Sequence, residues 1–390
     1  MQSTAYIVIG LAVGLFLYAY FGYPLVVGAL ALFRRKPALP PTTEWPRISI
    51  TVPAYNEEAE IRATLEGLLS LDYPADRREI LVVSDASTDG TDAIVRSFAE
   101  RGVTLIRMEQ RNGKTAAENA ASAHLTGDIV VNTDASIRIG QHSLKPLIAQ
   151  FADPEVGVAS GRDISVSRAT QTVNPGESRY VGYEMGIRAL ETRAGGIIGA
   201  SGCLYAIRAH LHRTQLADGL SRDFAAALNA HEHGFKAVSV DDAICFVPRT
   251  ASLKREYTRK VRTMTRGMET LFAMRRLLNP FEHGLFAFKL ISHKIGRWAV
   301  PWAALFGLAA LIALAPASRV AAWLAALAIA GIAVGVGGYL WSGEKPLPRL
   351  LSLPAYIVMG NVAALHASLR ALHGDRNAVW EPTRREVAPA

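Results

Sequence analysis

The sequence has 390 residues, 50% of them hydrophobic, with 42 Lys and Arg against 34 Asp and Glu for a formal net charge of +8. That length accommodates one large catalytic domain plus a membrane part. A positive balance suits nucleic acid, anionic lipid or phosphorylated ligands, but no zinc spacing or nucleic-acid motif accompanies it, so nucleic acid is excluded as the leading partner. Cys203 and Cys245 are the two cysteines, which excludes a disulfide framework and a cysteine-rich zinc site.

No Lys, Arg, Asp or Glu occurs from Met1 to Phe33. Ala5 to Phe33 is long enough to cross a bilayer with tilt. A cleaved signal peptide fits poorly, because the run is too long and lacks a basic start. Arg34, Arg35 and Lys36 follow directly, and the positive-inside rule then puts the next segment in the cytoplasm. Residues 1–36 therefore read as an N-terminal transmembrane anchor. Pro37, Pro40, Pro41 and Pro46 make a stiff linker into a cytoplasmic catalytic domain spanning residues 37–280.

From Ile48 short β-branched runs alternate with helical stretches. Strands are predicted at Ile48–Ala54, Glu79–Asp85, Val103–Met108 and Asp128–Asp134. Helices are predicted at Glu57–Leu71, Asp89–Glu100 and Lys114–Leu125. This order argues for an α/β, mainly parallel sheet with helices on both faces. Ligands in such sheets bind beyond the carboxyl ends of the strands, where Asp85 and Asp134 sit. The alternation weakens from Val156 to Val247, which suggests an acceptor-binding half, with helices at Val181–Arg193 and Phe224–His233 and a strand at Cys203–Ile207.

Gly284 to Arg297 carries Lys289, His293, Lys294 and Arg297 near one helical face among Phe and Ile, which suits an interfacial amphipathic helix over residues 281–297. Residues 298–372 read as C-terminal transmembrane helices, at Trp298–Pro316, Arg319–Trp341 and Leu350–Leu369, and residues 373–390 as a basic tail. Four crossings from an outside N-terminus put the C-terminus outside, whereas Arg370, Arg376, Arg384 and Arg385 favour the inside. Either the last segment does not fully cross or the basic bias is overridden.

Chemistry concentrates in a few short motifs. Pro53-Ala-Tyr-Asn-Glu57 ends the first strand, where Tyr55 can contact a base and Glu57 a ribose or base. Helix capping by Asn56, with Glu57 in the first turn, is the competing reading. In Ser84-Asp-Ala-Ser-Thr-Asp-Gly-Thr91, Asp85 can accept from a uracil N–H, and Ser87, Thr88 and Asp89 can cap the next helix. Arg111-Asn-Gly-Lys114 brings Lys114 to a helix start, where it can meet phosphate. It is not a P-loop, and no Gly-x-Gly-x-x-Gly follows the first strand, which argues against a dehydrogenase. Asn132-Thr-Asp-Ala-Ser136 presents Asp134, which can ligate Mg²⁺ or Mn²⁺ together with diphosphate oxygens. Asp223 can cap the helix that follows it. His231, Glu232 and His233 read as exposed polar residues.

Taken in order, these motifs resemble those of the family 2 glycosyltransferases, in the cellulose-synthase-like membrane branch. The similarity continues through Gly199-Ala-Ser-Gly-Cys-Leu-Tyr-Ala-Ile-Arg208, Ser221-Arg-Asp-Phe224, Arg259-Lys-Val-Arg262 and Trp380-Glu-Pro-Thr-Arg-Arg385. The resemblance implies a GT-A (Rossmann-like) fold, a UDP-sugar donor and inversion at the anomeric carbon. It implies nucleotide-sugar contacts from Pro53, Tyr55, Glu57, Asp85, Lys114, Asp134, Arg259 and Arg262, with Asp134 also the Mg²⁺ or Mn²⁺ ligand. Ser201, Gly202 and Cys203 fall in the acceptor-binding stretch, and Asp223 becomes the catalytic base. Thr263, Ser136 and Arg222 depart from the family pattern, at positions where relatives carry Trp, a second acid and an acid. The departures bear on processivity more than on transfer. The expected partners are a nucleotide-sugar, a glycan or lipid-linked acceptor, the lipid membrane and other polysaccharide-synthesis subunits. The expected location is the inner (plasma) membrane, multi-pass, with the catalytic domain cytoplasmic.

Overall fold

The computed structural model describes residues 2–34, 44–166, 175–248, 252–341 and 349–374. The chain begins with α1 (Gln2–Leu17), a π turn and α2 (Tyr23–Leu32). It then alternates through β1 (Ile48–Ala54), α3 (Glu58–Leu69), β2 (Arg78–Ser84), α4 (Thr91–Arg96), β3 (Val103–Arg107), α5 (Lys114–Ala121) and β4 (Ile129–Thr133). The second half holds β5 (Arg138–Ile139), α6 (Leu144–Ala149), β6 (Val156–Val166), α7 (Pro175–Arg193), β7 (Leu204–Arg208), α8 (Ala209–His212), α9 (Arg222–Glu232) and β8 (Lys236–Pro248). Five helices follow: α10 (Leu253–Ala273), α11 (Pro280–Lys289), α12 (Gly296–Leu314), α13 (Arg319–Tyr339) and α14 (Arg349–His373).

One eight-stranded sheet runs in the order β3-β2-β1-β4-β7-β6-β8-β5. β3, β2, β1 and β4 are parallel, as the alternating half of the sequence predicts. β7 enters antiparallel between β4 and β6, where the periodicity fades. Side chains alternate faces along each strand. Ile48, Ile50 and Val131 pack with Ile61 and Leu65 of α3 and Leu144 and Leu147 of α6. On the opposite face, Val130 and Ile207 meet Leu211 of α8 and Ala226 and Ala230 of α9.

Pro53 lies in a central strand, which its missing N–H normally forbids. It is tolerated because β1 pairs with β4 only through Thr51, so the strands have parted at Pro53. That parting opens the carboxyl end of the sheet. The loops there are tied to one another. Asn56, in the left-handed region at φ 51, accepts from the Thr88 N–H at 2.8 Å. It does not cap α3, whose N-cap is Glu57.

Four helical stretches are long and apolar enough to cross a membrane: Gln2–Leu32, Pro280–Leu314, Arg319–Tyr339 and Leu351–His373. The first merges α1 and α2, and the second merges α11 and α12 across a break at Gly284 and a π turn over Leu290–Ile295. That second stretch departs from the expected interfacial helix, because its cationic face meets protein. The Lys289 ammonium donates to the Gly196 carbonyl at 2.6 Å. His293 meets Glu191 at 2.7 Å and Glu184 at 3.2 Å, and Arg297 pairs with Glu184. Both carboxylates come from α7. His231 is not an exposed polar residue either: its ring stacks on Phe286 at 3.8 Å. Arg35, Lys36, Pro37, Pro40, Pro41, the Trp380–Arg385 motif and the basic residues Arg376, Arg384 and Arg385 lie outside the described residues.

α10 serves two neighbours. Val261, Thr265 and Met268 are buried, and the Thr265 hydroxyl reaches the Ala367 carbonyl of α14 at 3.5 Å. Arg259, Arg262 and Arg266, offset around the same helix, line the cleft described next.

Candidate active site

A cleft of about 330 Å³ opens at the carboxyl end of the sheet. Glu57, Lys114, Asp134, Arg259 and Arg262 line it from the donor set, together with Ser201, Gly202, Cys203 and Asp223. Residues from six separate stretches of sequence thus converge on one space. Pro53, Tyr55 and Asp85 lie off its wall.

Asp85 sits at the end of β2 and is buried. Its two carboxylate oxygens accept from the backbone N–H groups of Asn112 and Gly113, each at 2.8 Å. Gly113 adopts φ 93 and ψ 173, a conformation a side chain would strain. The Asp85 carboxylate therefore fixes the loop that delivers Lys114. Beside it the Arg111 guanidinium stacks over the Tyr55 ring at 3.7 Å.

Lys114 opens α5. Its ammonium donates to Asp134 Oδ1 at 2.5 Å and to the Gly202 carbonyl at 3.1 Å. Burial alone would lower its pKa, but the fields of Asp134, Glu118 and Asp223 outweigh that and hold the ammonium charged. Glu118, one turn along α5, is 1% exposed. It stands 4.0 Å from the same ammonium, and neither of its oxygens has a hydrogen-bond partner. Burial pushes this carboxyl up despite Lys114 and Arg222 nearby.

Asp223 lies in the first turn of α9, one residue after Arg222. Ser221 is the N-cap, and its hydroxyl donates to Asp223 Oδ1 at 2.5 Å, so the Asp223 side chain is not the cap. Gly202 passes so close that a Cβ there would lie 2.7 Å from Asp223 Oδ2. Arg222 turns the other way into a buried network. It donates to Asn119 and to the His212 carbonyl, and His212 meets the Asn132 side chain at 3.1 Å. Burial, then the Arg222 charge, push the His212 pKa well below its usual value, leaving a neutral ring. The cation before Asp223 therefore braces α9 against β4.

Elsewhere along the wall the Ser201 hydroxyl donates to Asp163 at 2.7 Å, and Ser160 accepts from the Ser201 N–H at 2.8 Å and from buried Arg188. On α10, Arg259 forks onto Glu256 at 2.6 and 2.8 Å. Arg266, missed from sequence, continues the row of Arg259 and Arg262 and bonds the Thr115 hydroxyl at 2.8 Å. Its helical spacing was the signal that could have found it.

The glycosyl transferase family 2 model matches residues 49–211, which carry β1 through β7.

Residues 49–211 form a family 2 glycosyltransferase domain.

An N-acetylglucosaminyltransferase of Rhizobium meliloti (strain 1021) is 28% identical over 294 residues, covering 70% of this chain and 67% of that protein. A beta-monoglucosyldiacylglycerol synthase of Synechocystis is 31% identical over 160 residues, 40% of this chain. The match spans 33% of that synthase's length. The structure of the mannosyltransferase PcManGT from Pyrobaculum calidifontis, in complex with GDP-Man and Mn²⁺, covers 94% of this chain and 99% of its own at 27% identity and a TM-score of 0.71. The expected GT-A fold is thereby borne out, with the apolar helices included in the alignment.

A divalent cation is tested by the donor set. Asp134 ends β4 with its side chain 27% exposed toward the cleft, and hard cations prefer such oxygens. Among the described residues no three Asp, Glu, His or Cys side chains gather to hold an ion. The family 2 domain therefore fits an ion shared with a diphosphate, and Lys114 currently occupies one Asp134 oxygen.

Proposed function

We propose that this chain is a membrane-bound inverting glycosyltransferase that moves a sugar from a nucleotide-sugar to a carbohydrate or lipid-linked acceptor. The convergence of Lys114, Asp134 and Asp223 in one cleft carries this reading. In it, the Asp223 carboxylate takes the proton of the acceptor hydroxyl as that oxygen attacks the anomeric carbon. The bond from that carbon to the diphosphate breaks on the opposite side. Lys114, Arg259 and Arg262 meet the charge that builds on the leaving diphosphate. Mg²⁺ or Mn²⁺, held by Asp134 when bound, supplies further neutralisation of that charge. Ser201, Gly202 and Cys203 border the acceptor, with the Gly202 backbone admitting it beside Asp223.

A UDP-sugar is the donor favoured by the family resemblance, and the GDP-Man of the Pyrobaculum neighbour makes a GDP-sugar the second class to test. On this reading Pro53, Tyr55, Glu57 and Asp85 shape the nucleotide end. The four apolar stretches support an inner-membrane, multi-pass location with the catalytic domain, residues 37–280, in the cytoplasm. Exopolysaccharide or cell-surface glycan synthesis, alongside other polysaccharide-synthesis subunits, is the setting we assign. Transfer of a single sugar to a lipid carrier is the second reading, favoured by the attachment of α10 to both the cleft and α14.

The test is release of UDP or GDP from a panel of nucleotide-sugars by the full chain in native membranes, with product length resolved. A ladder of products supports polymerisation, and one added residue supports the lipid-carrier reading. Equal nucleotide release by wild type and Asp223→Asn would leave a non-catalytic nucleotide-sugar-binding subunit instead.

A further inference from the structure

Glu118 is unusual among the cleft residues. It is a buried carboxylate, and neither oxygen has a hydrogen-bond partner. Buried carboxylates rarely stay unpartnered, because the uncompensated group costs several kcal/mol. Arg222 does not meet the demand, since its guanidinium is committed to Asn119 and the His212 carbonyl. The nearest cation is the Lys114 ammonium, 4.0 Å away and one helical turn back on α5. That ammonium already sits on Asp134 and on the Gly202 carbonyl.

The arrangement gives Lys114 two carboxylates within reach and Asp134 two claims on its oxygens. A divalent cation on Asp134 repels an ammonium held on the same carboxylate. The displaced ammonium is buried, and Glu118 is the second carboxylate in its reach. A shift of roughly 1 Å brings it within charge-assisted hydrogen-bond range of Glu118, with the Gly202 carbonyl as pivot. We infer that Glu118 is the alternate seat of the Lys114 ammonium, taken when a divalent cation engages Asp134. Lys114 is then a resident counter-ion that keeps Asp134 neutralised between turnovers, and Glu118 a positioning residue that sets how readily Asp134 is released to metal. No covalent step is involved. The inference rests on the cleft being the donor-diphosphate site proposed above.

The experiment is Mn²⁺ binding by the full chain with saturating UDP or GDP, followed through loss of the free-ion electron paramagnetic resonance signal. Glu118→Gln keeps the shape and removes the charge. It is expected to weaken Mn²⁺ binding about tenfold, because no second protein carboxylate then takes the ammonium. Lys114→Met removes the competitor and is expected to bind Mn²⁺ at least as tightly as wild type. The double variant should recover what Glu118→Gln loses. Wild-type affinity in a folded Glu118→Gln protein overturns the inference and leaves the donor site standing. Weakened Mn²⁺ binding in Lys114→Met overturns it independently, even where Glu118→Gln does not fold. Absence of Mn²⁺ binding in every protein, wild type included, removes the metal-bearing donor site and the inference together.

Discussion

Two buried charge clusters differ in how completely they are paired. Between α7 and the apolar helices, Glu184 is held by His293 and Arg297, and Glu191 by His293 and the Tyr23 hydroxyl. Burial would raise the Glu184 carboxyl, but hydrogen bonding and the charges of His293 and Arg297 hold it well below the usual range. In the cleft, Glu118 has no hydrogen-bond partner, and Lys114 serves Asp134 while Glu118 waits one turn away. The first cluster fastens secondary structure. On the proposed reading, the second keeps charge in reserve for a ligand that brings its own. Arg188, also on α7, lines the cleft and donates to the Ser160 hydroxyl.

The largest expected effect falls on the reserve cluster. Asp223→Asn should lower turnover by about 10³ while leaving the melting temperature and nucleotide binding unchanged; a folded variant with wild-type turnover removes Asp223 as base. Glu184→Gln tests the fastening cluster. It leaves Arg297 without its carboxylate and His293 with Glu191 alone, and should cost about 3 kcal/mol, seen in detergent melts, with activity per folded molecule retained. The pH dependence follows from the depressed carboxyl. Its contribution is fully present above the ordinary glutamate value of about 4.3 and is lost as pH falls toward the lower folded value. The stability gap between wild type and Glu184→Gln should therefore narrow in acid, and a gap constant from neutral to acid pH would contradict the assignment.

Gly202→Ala places a Cβ 2.7 Å from Asp223 Oδ2. Displacing that carboxylate should reduce kcat by roughly 10² with little change in melting temperature, which a rate and melt measured together would resolve. The smallest effect is Tyr23→Phe. It removes the hydroxyl on Glu191 but leaves His293 in place, so a loss of about 1.5 kcal/mol is expected. A larger loss would mean that the two donors on Glu191 are not interchangeable.

Local chemistry explains what was legible in the sequence. Ile48–Ala54 and Val103–Arg107 are dense in β-branched residues and flanked by breakers, so their strands could be read directly. Lys114 and Asp134 could be read because a helix start and a strand end are where α/β sheets meet ligands. Glu118 could not. In Lys-Thr-Ala-Ala-Glu-Asn-Ala-Ala it looks like an ordinary polar helix residue, and tertiary packing, with Ala117 and Ala121 on Val83 and Asn119 on Leu216 and Arg222, buries that helix. The cationic face from Lys289 to Arg297 has the same spacing whether it faces headgroups or carboxylates. Its partners lie about a hundred residues earlier on α7, a separation that periodicity does not report. Asp85 was legible as a strand-end carboxylate, but not its grip on the Asn112 and Gly113 amides, which depends on how two loops close.

α10 carries a last consequence. The row of Arg259, Arg262 and Arg266 shares one helix with the residues that clasp α14. A helix that spans a bilayer tilts to match its thickness at modest cost, and that tilt reaches the guanidinium row across a single helix diameter. On the proposed reading, with α14 in the bilayer and the arginines on the donor, acyl-chain length becomes an input to diphosphate affinity. Reconstitution into vesicles of graded chain length, with nucleotide affinity measured in each, gauges that input, and an affinity flat across the series would uncouple the two faces of α10.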